Sequence, residues 1–87
     1  MDEFVFFRYD GKPFLAIREK VYQVIADDLR TKCMTALRPF ADEIAKSKGA
    51  VHFEFDRAFL GARVRMVGIE EELQQRIAVA IPSLSTL

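Results

Sequence analysis

An α+β domain of order ββαββα is the fold class this sequence predicts, with a four-stranded antiparallel sheet, one long helix and one shorter C-terminal helix. Two observations carry that reading. Two pairs of short segments rich in aromatic and branched residues are each joined by a brief turn, and each pair is followed by a stretch whose apolar residues recur three and four apart.

The first pair begins with Phe4-Val5-Phe6-Phe7-Arg8-Tyr9, which runs into Asp10-Gly11. That dipeptide suits a tight hairpin, because both positions tolerate positive φ. The return strand is expected over Lys12 to Ile17, with Pro13 near its start, where a missing N–H costs least on an edge strand.

From Arg18 to Ser47 the period changes. Ile17, Val21, Val24, Ile25, Leu29, Cys33, Ala36, Leu37, Phe40 and Ile44 line one side of a helix, and Asp28 and Lys32 are spaced for an i,i+4 ion pair. Pro39 lies inside this run, where it removes a backbone bond and clashes with the preceding turn, so a kink or a break into two helices is expected there. Lys48-Gly49 supplies a cationic end and a glycine stop.

Val51 to Asp56 and Ala62 to Val67 alternate apolar and polar, forming the second hairpin. If Arg57 pairs with Ala62, then Asp56 faces Arg63, Glu54 faces Arg65 and His52 faces Val67, while Phe55 meets Val64 and Phe53 meets Met66 on the other face. Glu70, Glu71 and Glu72 then open the last helix, where the dipole favours acids. Its apolar face is Ile69, Leu73, Ile77 and Ala80, and Pro82 is its expected end. Residues 1–82 read as one domain, and 83–87 as a fraying tail.

Composition narrows the function classes. Thirteen Lys+Arg balance thirteen Asp+Glu among 87 residues, so no global field draws the chain onto phosphate backbones or anionic lipid. Cys33 is the only cysteine, which excludes an intramolecular disulfide and suits a reducing, cytoplasmic setting. The acidic start MDEFVFFRYD lacks the basic segment and long apolar run of an export signal, and no stretch is apolar enough to span a membrane.

Catalytic chemistry is sparsely represented. His52, Glu54 and Asp56 project from one strand face, but such a row diverges rather than wraps a metal, and Cys33 lies on the apolar helix stripe. No glycine-rich phosphate loop and no Cys-x-x-Cys occurs. The expectation is a protein without catalytic residues, cofactor or metal.

Two features point to contact surfaces instead. The tip of the second hairpin carries Phe59 and Leu60 where Gly, Asn or Asp is usual. Either Phe59 folds back beneath a helix end, or it forms with Leu60 an exposed apolar knob. The first hairpin is apolar at odd and even positions alike, more than one sheet face can bury. Phe59, Leu60, Arg57, Phe7 and Tyr9 are therefore the candidate partner-binding residues.

The sequence thus predicts a small homodimeric protein acting through protein contacts, as an adaptor, inhibitor or regulatory subunit. The alternative is a nucleic-acid-binding regulator using Arg57, Arg63 and Arg65, with support from Arg30 and Arg38 on the long helix.

Overall fold

The structure, a computed structural model, describes residues 4–81. Pro82 and the tail expected to fray lie outside the described residues. The element order is β1 (Val5–Tyr9), β2 (Lys12–Pro13), α1 (Lys20–Leu37), α2 (Ala41–Ser47), β3 (Ala50–Phe55), β4 (Ala62–Val67) and α3 (Glu71–Ala80). This is the α+β, ββαββα arrangement, and no helix among the described residues is long and apolar enough to cross a membrane.

The strands form one sheet in the order β2-β1-β3-β4. Both hairpins are antiparallel, but β1 and β3 pair in parallel, from Val5 opposite Val51 to Tyr9 opposite Phe55. The sheet is therefore mixed rather than purely antiparallel. Parallel neighbours need a long crossover, and the helical segment between the hairpins supplies it. The pairing also explains the apolar richness of β1, which lies between two other strands.

Two local departures from the expected elements accompany one expected break. The return strand stops at Pro13, and Phe14–Ala16 turn as a 3-10 helix. Phe14 thereby swings inward, with ring centroids 5.3 Å from Phe7 and 5.6 Å from Phe55. The long helix divides at Pro39: α1 ends at Leu37, Arg38–Phe40 form a 3-10 turn, and α2 continues to Ser47. On α1 the buried residues are Ala26, Leu29, Cys33 and Leu37, whereas Val21 and Val24 are exposed. The buried stripe is thus rotated towards Ala26 and narrower than the sequence pattern suggests.

Every helix turns its buried residues onto one face of the sheet. Val5, Val51, Phe53 and Phe55 from the strands meet Leu29, Cys33, Leu37, Ile44, Leu73 and Ile77 from the helices in a single core. At the exposed junction of α2 and α3, the Arg76 guanidinium donates two hydrogen bonds to the Glu43 carboxylate, at 2.9 and 3.1 Å, and lies 5.5 Å from the Phe40 ring. The expected Asp28–Lys32 pair closes at 2.9 Å.

Candidate functional site

The second hairpin pairs two residues away from the expected register. Glu54 faces Arg63, His52 faces Arg65, Phe53 faces Val64 and Phe55 faces Ala62. The closing contact is the Asp56 N–H donating to the Gly61 carbonyl at 2.9 Å, not a pairing of Arg57 with Ala62. Both faces survive this correction because the shift preserves the two-residue alternation.

Phe59 accounts for the shift. Arg57–Phe59 form a 3-10 turn in which Ala58 and Phe59 both take left-handed backbone, with φ of 60° and 56°. That conformation drives the Phe59 ring inward, where it is 1% exposed. Its centroid lies 4.7 Å from Tyr9, 5.5 Å from Phe55 and 6.0 Å from Tyr22. The Tyr9 hydroxyl accepts the Ala58 N–H at 2.8 Å and so holds the turn. Of the two arrangements open for the tip, the chain adopts the inward one, and Leu60 alone remains on the surface, 75% exposed.

The other sequence candidates separate. Phe7 is half-buried and stacked on Phe53 at 5.1 Å, and Tyr9 is half-buried in the Phe59 cluster. Arg57 lines a shallow concavity with Lys12 and Arg18, whereas Arg63 lines another with Arg8 and Glu54. The hairpin arginines therefore do not form one patch. Arg63 and Arg65 instead share the helix-free sheet face with Arg8, which the sequence reading left aside.

That open face is a cross-strand grid. Phe6, His52 and Arg65 form one row, and Arg8, Glu54 and Arg63 the next. The rings of Phe6 and His52 stack at 4.9 Å and 15°, and Arg65 approaches Glu54 at 3.9 Å. Burial pushes the His52 imidazole below its ordinary value of 6.5, helped by the Arg65 and Arg8 charges and opposed by Glu54. His52 Nδ1 is buried without a hydrogen-bond partner among the described residues. Among the described residues no group of three His, Cys, Asp or Glu side chains is placed to hold a metal.

The two edges of the sheet differ. Asp10 donates its N–H to the Phe55 carbonyl at 2.8 Å, so by alternation Val5 and Phe7 turn their backbone groups away from β3. On that outer side β2 pairs only Arg8 and Tyr9. Where β2 stops, a groove of about 550 Å³ opens between β1 and α1, lined by Val5, Phe6, Phe7, Phe14, Leu15 and Ala26 among others. Leu15 is 99% exposed at its rim, and Phe6 is 43% exposed. The opposite edge, β4, is uncovered by any strand along its whole length among the described residues.

Of the features that sequence reasoning missed, the open β1 edge had a signal in Pro13, which ends a ladder early. Comparison with protein-family models, with characterised proteins and with solved structures returns no match, so the functional reading rests on this geometry alone.

Proposed function

We propose that the chain acts through protein contacts, as a small cytoplasmic adaptor or regulatory subunit, and that its first partner is a second copy of itself joined along β1. The observation that carries this reading is the strand edge left open, among the described residues, at Val5–Phe7 beside exposed Phe6 and Leu15.

A two-fold antiparallel pairing centred on Phe6 sets Val5 opposite the partner's Phe7 and Phe7 opposite the partner's Val5. Both are residues whose backbone groups already point outward, so the pairing makes about four backbone hydrogen bonds. The two Phe6 rings then meet in a non-hydrogen-bonded pair, where side chains approach most closely. The β4 edge does not self-pair as readily. Every antiparallel register that keeps its faces aligned and pairs more than three of its residues sets Arg63 or Arg65 against an arginine of the other copy, and like charges directly opposite are destabilising.

Sedimentation of the purified chain across a concentration series tests the proposal. A dimer is expected, and Phe6→Lys, which sets two cations together at the two-fold axis, is expected to give a folded monomer. A wild-type chain that is monomeric at every concentration, or a dimer indifferent to Phe6→Lys, overturns it.

One observation favours a second reading. Arg8, Arg63 and Arg65 surround Glu54 on a face whose Phe6 and His52 are stacked, an arrangement suited to single-stranded nucleic acid. Binding of a mixed single-stranded oligonucleotide at low salt that falls with Arg8→Ala and Phe6→Ala supports it. Absence of salt-sensitive binding removes it.

A further inference from the structure

The β4 edge has a chemistry of its own. The Asp56–Gly61 hydrogen bond makes the facing pairs Glu54–Arg63 and His52–Arg65 the ones that bond to β3. Ala62, Val64 and Met66 therefore turn their N–H and C=O groups outward. Their side chains point to the core side of the sheet and are half-buried, while Arg63 and Arg65 are exposed on the open face. Arg65 shares Glu54 at 3.9 Å, and Arg63 has no ion pair within the described residues.

We infer that β4 is a docking edge for an extended acidic segment of another protein, which joins the sheet as a further antiparallel strand. An arriving strand bonds to Ala62, Val64 and Met66 and lies opposite Arg63 and Arg65 at the non-hydrogen-bonded positions, where facing side chains come closest. Carboxylates there neutralise Arg63, which has no ion pair among the described residues, and Arg65, which reaches only Glu54. The intervening residues of the segment fall on the core side beside Val64 and Met66, where branched apolar side chains fit. The preferred occupant is thus an alternation of acidic and branched apolar residues. The charge pattern that disfavours self-pairing at this edge is the one that selects such a partner. This inference concerns a different edge from the dimer proposal and does not depend on it.

The test uses the full chain and an acetylated, amidated hexapeptide alternating valine with glutamate, followed by NMR. Peptide addition is expected to shift the amide signals of residues 62–67 and to slow hydrogen exchange at Ala62, Val64 and Met66. Binding is expected to weaken roughly tenfold in Arg63→Gln/Arg65→Gln, two exposed pairs being lost, and to weaken with added salt. A valine–lysine peptide, or the valine–glutamate peptide N-methylated along its pairing edge, is expected not to bind.

Unchanged spectra, equal binding of the lysine peptide, or full binding by the N-methylated one overturns the inference. So does a mixed single-stranded oligonucleotide that displaces the peptide while leaving exchange at Ala62, Val64 and Met66 fast. Sedimentation of the double variant keeps the two proposals apart, because a dimer joined through β1 is unaffected by these substitutions.

Discussion

Phe59 and Leu60 are neighbours with opposite fates, and replacing each alone tests the inward turn. The Phe59 ring is 1% exposed and touches Tyr9, Phe14, Tyr22 and Phe55, at centroid distances from 4.7 to 6.4 Å. Burying such a ring contributes about 1.5–3 kcal/mol by transfer. Lost aromatic pairing and the cavity left behind bring Phe59→Ala to about 3–5 kcal/mol. A chain of 87 residues has roughly 4–13 kcal/mol of stability in all, so this one change removes a large share of it. Leu60, 75% exposed, should tolerate Leu60→Ser within about 0.5 kcal/mol. Urea unfolding followed by far-ultraviolet circular dichroism measures both. Tyrosine emission reports on the cluster itself, since the chain has no tryptophan and both of its tyrosines, Tyr9 and Tyr22, contact Phe59. A cost below about 1 kcal/mol for Phe59→Ala, with a larger one for Leu60→Ser, would mean that the loop is inverted and the reasoning wrong.

Three further outcomes are expected. Because burial holds the His52 imidazole below 6.5, the unfolded chain takes up its proton first as pH falls; stability is therefore present above about 6.5 and declines towards the lower folded value. Urea midpoints at about pH 7.5 and pH 5 should show a smaller loss in His52→Gln than in the wild type, and equal losses would refute the assignment. A Cβ on Gly49 would stand 2.6 Å from Ile69 Cγ1 and 2.7 Å from the Val67 carbonyl oxygen, so Gly49→Ala should cost about 1–3 kcal/mol in the same unfolding assay. The Cys33 thiol is fully buried and pushed up to about 11, so iodoacetamide near neutral pH should leave it unmodified in the native chain and alkylate it in urea, as mass spectrometry can read.

Of the candidate site, the sequence contained the parts without the assembly. Arg63 and Arg65 could be placed on the polar face of a hairpin because alternation is a local property. Their companion Arg8 could not, because it joins them only through the parallel pairing of β1 with β3. Arg57 lies only a few residues from Arg63 in sequence, yet the turn at Ala58 and Phe59 carries it to a different concavity.

What this sequence determined by itself is the set of elements and their faces. The Asp10-Gly11 turn, the break at Pro39, the acidic start of α3 and the alternation in β3 and β4 each depend on residues within a turn or two of one another. Tertiary structure decided which strands become neighbours, in which direction and register, and which edges stay open. Those choices depend on contacts between segments far apart in the chain, such as Val5 with Val51. They also depend on whether one ring, Phe59, packs better among Tyr9, Tyr22 and Phe55 than in water. Local patterns carry no information about that competition, because its free energy is set by packing in a core that exists only once the chain has closed around it.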